Sequence, residues 1–433
     1  MLISFSVGNY LSFKNIQTID FTPESLKEHE DFLHIPYLYH QNARILKSIG
    51  VFGHNSHGKS NLLKAYQFFL DLIFSSFTIG RVEEAIVIDN YKLSTETLNE
   101  PSHFEVIFYH RQVKYRYGFK ILSTKVVEEW LYYSEAKIRE NYLFERSEQE
   151  FRVSKAWNKE SENKIDHSLF FTKRTNLLLS VLISQGTIPR INEISTWMRG
   201  NLVISDITTK EHLSKAVLFL SHPKYRTTIN RFIERADLGF VTIVEKIDSH
   251  VKNKVALDKD FLELIFSTEL TNYEIFTKHD IYNAQYKCID SIQFELMKSE
   301  SSGTIKYLVL VCYLSYAIKQ GQLILIDEID SKFHVLLFRF LLKIFHDKKI
   351  NTFGSQMIFT THSTFIMSKS VLRRDQMVIV EKDQYGESIV TRMHGAKKPI
   401  RIDTQIEKEY IKGDLGGVSG KLKSDEGQSE LDF

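Results

Sequence analysis

Gly53-His-Asn-Ser-His-Gly58-Lys59-Ser60 is the stretch best equipped for chemistry. It has the form G-x-x-x-x-G-K-[ST]. Glycines at those positions let backbone N–H groups turn inward onto phosphate oxygens, at a helix N-terminus whose dipole favours anions. In such a loop Lys59 bridges the β- and γ-phosphates of a nucleoside triphosphate, and the Ser60 hydroxyl ligates Mg²⁺. A second stretch, Leu323-Ile-Leu-Ile-Asp327-Glu328, ends an apolar strand in two carboxylates, where α/β sheets place their ligands. There Asp327 would hold the Mg²⁺ shell and Glu328 would polarise an attacking water. Met357-Ile-Phe-Thr-Thr-His362-Ser363 repeats the plan and puts His362 at a strand end, where it could hydrogen-bond the γ-phosphate. The fourth piece is Glu300-Ser301-Ser302-Gly303-Thr304, directly before an apolar helix. Read alone it is a helix cap. Read with the other three, it is a second phosphate-binding surface aimed away from the first.

These pieces need elements to hold them. Leu2 to Val7 alternates, Ile16 to Phe21 can pair with it across an Asn9–Asn15 turn, and Ser48 to Phe52 reads as a short buried strand. Lys59 to about Ser75 carries a wide apolar helical face. Phe104–Tyr109, Lys114–Leu122 and Val126–Tyr133 read as antiparallel strands. Residues 146–167 are charged and read as an exposed connection, and 168 to about 275 as mostly helical. After Ser291 strands and helices alternate again: a helix at 305–318, a strand at 323–326, a helix at 335–345, then strands at 357–359 and 377–380. That alternation fits a parallel sheet covered by helices.

Composition sets few limits. The 433 residues carry 56 Lys plus Arg against 54 Asp plus Glu, so the net charge of +2 gives no global case for nucleic acid or an anionic membrane. Cys288 and Cys312 have no metal-ligand spacing, and Cys312 reads as a buried thiol. No apolar segment reaches membrane-spanning length and the N-terminus lacks a signal-peptide pattern, so a cytoplasmic protein without a membrane association is expected.

The order of elements resembles ABC-type ATPases of the RecF, SMC and OLD group rather than transporter subunits. In that group the loop reads G-x-N-x-x-G-K-S-N, matched by Asn55 and Asn61. Its OLD-like signature S-x-G-T is matched by Ser301, Gly303 and Thr304, and contacts ATP held by the other protomer. The acidic pair is followed by Ile329, Asp330 and His334, which makes Asp330 and Ser331 the dimer-facing D-loop. Within the group the chain is similar to the stand-alone abortive-infection ATPases of the AbiLi type. The matching stretches are SVGNYLSF, ESSGTIK, DEIDSKFH, FTTHS, RRDQMVIVEKD and EKEYIKGDLGG. Both ends match well, and 150–275 match by position and helical character. Gln112 is the candidate Q-loop glutamine, Asn9 and Lys14 are candidates for contacting the base, and His57 stands where the group usually has a small residue.

The resemblance implies an α/β fold: an ABC-type P-loop ATPase head, with a mixed sheet of N-terminal antiparallel strands plus a parallel core, and a helical insertion. Residues 1–150 would form the N-terminal part of the head, 151–285 the insertion, 286–420 the C-terminal part, and 421–433 a disordered tail. ATP and Mg²⁺ are the implied cofactors. A homodimer or higher homo-oligomer would sandwich the nucleotide head to tail. It would serve as a sensor or scaffold in bacterial anti-phage defence, beside a separate effector such as a Toprim or RloB-like nuclease, with no nuclease domain in this chain. The alternative is a DNA-acting ATPase of repair or chromosome maintenance, with Lys397-Lys398 and Arg401, or Arg373-Arg374, as basic contacts. A binding module that never hydrolyses ATP is a third reading, and Glu328 argues against it.

Overall fold

The computed structural model describes the chain except for residues 27, 35–43, 80–84, 136–138, 162–163, 208, 248–254, 256–260, 262–264, 266–272, 332–333, 394–405, 413–414 and 416–433. The expected basic cluster Lys397, Lys398 and Arg401, and the expected tail, lie outside the described residues. The chain divides into two units. One comprises Met1–Val203, Leu325–Glu328 and Gln356–Phe433, the other Ile204–Ile324 and Ile329–Ser355.

In the first unit, apolar alternation builds a seven-stranded antiparallel sheet. Its strands are β1 (Leu2–Gly8), β2 (Gln17–Asp20), β6 (Ser102–His110), β7 (Val113–Leu122), β8 (Lys125–Glu135), β9 (Asn141–Ser147) and β10 (Glu150–Val153), in the order β10-β9-β8-β7-β6-β1-β2. Two short strands, β3 (Leu33–His34) and β4 (Ile45–Leu46), pair separately. One face of the large sheet presents Phe5, Tyr117 and Phe119 to Tyr66 and Phe69, and Phe104 to Phe68, of the helix Lys59–Ile79. Phe69 stacks on Phe119 with ring centroids 5.6 Å apart, and Phe5 meets Tyr66 edge-on at 5.0 Å. Each such ring removes apolar area worth roughly 1.5–3 kcal/mol from water, so this contact anchors the helix and the loop that starts it.

The second sheet of this unit holds the chemistry. Strand β5 (Ser48–Phe52) runs parallel to both β16 (Gln356–Thr360) and β17 (Met377–Lys382), and β18 (Ser388–Arg392) closes the edge. On the other side of β16 lie Leu325 and Ile326, the second half of β15 (Leu323–Ile326). All five residues of β5 and of β16 are buried, which explains the apolar runs Ile49–Phe52 and Met357–Phe359 within them.

The stretch 146–167 departs from the expected exposed connection. It carries β10 and the helices Lys155–Glu160 and Lys164–Phe171, and Arg146 is buried. The reason is Glu129, also buried, whose carboxylate lies 3.7 Å from the Arg146 guanidinium. Glu129 accepts from the N–H groups of Leu178 (2.7 Å) and Leu179 (3.0 Å), so it caps the helix Leu178–Gln185. Burial pushes its carboxyl above the usual range, against the pull of Arg146 and those two N–H groups. The helices up to Arg199 therefore belong with the first unit. The expected boundary at 150/151 falls instead where β11 (Leu202–Ile204) begins to leave that unit, at Val203/Ile204. The expected boundary at 285/286 falls inside the second unit.

In the second unit the helices Lys210–Ser221 and Pro223–Ala236 pack on Ser302–Gln320. That last helix is buried on every side from Lys306 to Ile318. The expected helical character is interrupted after Ala236, although Val255, Phe261 and Ile265 are again helical. β12 (Thr242–Ile247), β13 (Tyr273–Tyr282) and β14 (Cys288–Glu295) form an antiparallel sheet. Tyr273–Tyr282 is rich in aromatic and branched residues, which favour a pleated, half-buried surface over a helix.

Candidate functional site

Between β5 and the helix Lys59–Ile79, the loop 53–58 is built around positions only glycine can fill. Gly53 has φ of 150°, and a Cβ there would sit 2.3 Å from the backbone oxygen of Val380. Gly58 has φ of 106°, and a Cβ there would lie 2.2 Å from Ser388 Oγ and 2.7 Å from Ser12 Oγ. Lys59 is buried and folds back over the loop, donating to Gly53 O (2.8 Å) and His54 O (3.1 Å). Asn55 is exposed at the loop's crest and Ser60 is half-buried at the helix start. Asn61 donates to Ser12 Oγ at 2.8 Å, and the Ser388 hydroxyl donates to His57 O at 2.6 Å. The loop is thus braced by Ser12 and Ser388, which sequence reading did not single out. Burial, with help from His54 and Lys59, holds the His57 imidazole below its usual pKa.

The acid pair is organised by another residue that went unnoticed. Thr360, fully buried at the end of β16, donates its hydroxyl to Asp327 Oδ1 at 2.5 Å and accepts from the Glu328 N–H at 2.7 Å. Glu328 has a left-handed backbone, φ 44°, which disfavours any residue with a Cβ by about 1–2 kcal/mol. Its side chain is 55% exposed, and its Oε1 lies 3.6 Å from His362 Nε2, itself 43% exposed. Asp327, Glu328, Thr360 and His362 therefore gather at the ends of the neighbouring strands β15 and β16, of which β16 pairs directly with the loop strand β5. A threonine at the end of an apolar strand beside an acidic one was the available signal.

Other expected residues fall elsewhere. Ser301, Gly303, Thr304, Asp330 and Ser331 lie in the second unit. Ser301 Oγ accepts from the Thr304 N–H at 3.1 Å, so the residue caps its own helix. Glu300 accepts from the Thr277 hydroxyl at 2.8 Å and contacts His279 Nε2 at 3.1 Å. Ser331 Oγ accepts from Lys306 Nζ at 2.5 Å, and His334 caps the helix Val335–His346. Asn9 does not suit base contact. It is buried, donates to Thr97 O and Glu100 O, and accepts from the Tyr91 N–H. Lys14 pairs with Glu96 at 3.4 Å. Gln112 is exposed in the turn from β6 to β7, with φ 70°. Arg373 is fully buried in a two-point pair with Asp375 (2.9 and 2.7 Å), and Arg374 pairs with Glu28 at 2.8 Å. Neither forms the basic surface expected of them, because Asp375, Glu24, Leu26 and Glu28 enclose them.

A buried parallel strand, a glycine-rich turn, a helix, and carboxylates on a nearby strand define a P-loop domain of mixed α/β architecture. Residues 48–368 match the model of the family described as "AAA domain, putative AbiEii toxin, Type IV TA system". The chain belongs to this family of AAA-type ATPase domains. No curated protein matches the chain. Among solved structures, the SMC head domain from Thermotoga maritima is 12% identical, with a TM-score of 0.40 over 93% of this chain and 99% of that one. The Smc head domain with a coiled coil and joint derived from Pyrococcus yayanosii is 10% identical, with a TM-score of 0.38 over 95% and 99%. The recombination mediator protein RecF with ATP is 13% identical, with a TM-score of 0.30 over 90% and 97%. Among the described residues, no helix is long and apolar enough to cross a membrane.

Proposed function

We propose that the chain binds and hydrolyses ATP as a head-to-tail, ABC-type dimer. It serves as a nucleotide-driven sensor or scaffold in bacterial anti-phage defence, beside a separate effector. The observation that carries this reading is the acid pair. One buried hydroxyl, that of Thr360, holds both Asp327 and the Glu328 backbone, and leaves the Glu328 carboxylate exposed beside His362. On this reading Lys59 exchanges the carbonyls of Gly53 and His54 for phosphate oxygens. Glu328 orients the attacking water and accepts its proton, and His362 orients Glu328 and contacts the γ-phosphate. The Ser60 hydroxyl and Asp327 carboxylate are hard oxygen donors of the kind Mg²⁺ takes, and would hold it. Bound there, the ion neutralises phosphate charge. Ser301, Gly303, Thr304 and Asp330 would face the nucleotide of the second copy, with the helix start offering its N–H groups. The family description, which names a toxin of a type IV system, supports the defence side of the reading.

The test is solution mass and phosphate release, without nucleotide and with ATP and Mg²⁺, for wild type, Glu328→Gln and Lys59→Ala. The expected result is that Glu328→Gln gains mass with ATP and loses turnover, while Lys59→Ala does neither. Assembly indifferent to nucleotide, together with no phosphate release by wild type, would refute the mechanism.

A further inference from the structure

Away from the nucleotide loop, the second unit contains a pocket of about 260 Å³ whose rim carries Arg231, Arg235, Lys319 and Lys349. The two arginines stand one turn apart on the helix Pro223–Ala236, Lys319 ends Ser302–Gln320, and Lys349 follows Val335–His346. Among the described residues, none of the four has a carboxylate within ion-pair distance or another hydrogen-bonded partner for its side chain. The acid on the wall, Asp347, turns Oδ1 back onto the Lys349 N–H at 2.7 Å. Other arginines of the chain have acid partners, among them Arg116 with Glu140, Arg152 with Glu145 and Arg226 with Glu245.

Helix dipoles account for part of the cluster, since Arg235 and Lys319 sit at helix C-termini, where cations are favoured. They do not account for Arg231, whose like charge one turn from Arg235 disfavours the helix, or for Lys349. The floor beneath the charges is apolar, with Phe232, Ile318 and Ile344 buried. Such a floor lowers the local dielectric and strengthens the attraction for an anion. Guanidinium forks match phosphate oxygens in geometry as well as charge. The volume is below the roughly 300–1,000 Å³ of sites that enclose drug-sized ligands, so it suits phosphate groups rather than a whole nucleotide.

We propose that this pocket is a phosphate-binding site separate from the P-loop, taking phosphate either from a nucleic-acid backbone or from a free polyphosphate. The proposal does not depend on ATP hydrolysis. The test uses full-length Lys59→Ala, in which the P-loop is disabled, titrated with a labelled short DNA duplex and, separately, with pyrophosphate. It is compared with the same protein carrying Arg231→Gln and Lys349→Gln. Binding is expected to weaken at least tenfold with the unfolding temperature unchanged. For the duplex, the slope of log K against log salt should become shallower by about 2, at about 0.9 per lost contact. Loss of duplex binding identifies the backbone as source, and loss of pyrophosphate binding alone identifies a free polyphosphate. If the double substitution unfolds the protein, Lys319→Gln with Lys349→Gln makes the same comparison. The proposal is overturned if neither ligand binds Lys59→Ala, or if binding survives neutralisation undiminished.

Discussion

Thr360→Val removes one hydroxyl from a fully buried position and keeps the side chain's shape. Two hydrogen bonds go with it: the one donated to Asp327 at 2.5 Å and the one accepted from the Glu328 N–H at 2.7 Å. A bond to an ionised carboxylate contributes about 1.5–3 kcal/mol, and a buried N–H deprived of its acceptor costs about 1–3 kcal/mol. Both act through one hydroxyl and are not additive, so the expected loss of stability is about 2–4 kcal/mol. The effect on turnover should be larger in proportion. Glu328 holds a left-handed backbone that this bond helps to pin, and a displacement of about 1 Å in a reacting group can cost about a hundredfold in rate. Thr360→Ser keeps the hydroxyl and loses one methyl, so it should cost about 0.5–1.5 kcal/mol and retain most turnover. Urea unfolding and phosphate release at saturating ATP measure the two effects. Wild-type turnover in Thr360→Val, or a Ser variant as impaired as the Val variant, would refute the role given to the hydroxyl.

Two further perturbations test the surrounding framework. Burial, then the charges of the N-terminus and Arg111, push the His110 imidazole down to about 4. The folded form then binds fewer protons than the unfolded one between about 6.5 and 4, so stability is present above that window and is lost as pH falls through it. Discounted for its partial exposure, the contribution is about 2 kcal/mol. His110→Gln should therefore lose less stability than wild type in urea titrations from pH 7 to 4.5, and equal losses would count against this assignment. Asp375→Ala strands the buried Arg373 guanidinium and should cost about 3–5 kcal/mol in chemical unfolding. Duplex DNA binding by the folded fraction should stay unchanged, and weakened binding would return Arg373 to the contact surface.

Much of the site was legible along the chain because its parts are local. Gly53 to Ser60 lie within eight residues, and their loop needs a buried strand before it and a helix after it. The runs ending at Asp327 and Thr360 are apolar because both faces of those strands are covered. The antiparallel strands from Ser102 to Glu135 were visible for the complementary reason: alternation marks a sheet with one face buried.

Tertiary structure alone decided what those local parts meet. Ser12 and Ser388 brace the same loop from opposite ends of the chain, and no spacing rule connects them. Arg146 looked like solvated charge until Glu129, buried beneath it, took it as a counter-ion. Arg373-Arg374 looked like a basic contact until Asp375 and Glu28 enclosed them, while Arg231, Arg235, Lys319 and Lys349, scattered along the sequence, share one pocket rim. The physical reason is common to all of these. Hydrophobic periodicity is set by each residue's own burial and can be read locally, whereas the energy of a charge or a hydroxyl depends on the partner folding brings to it.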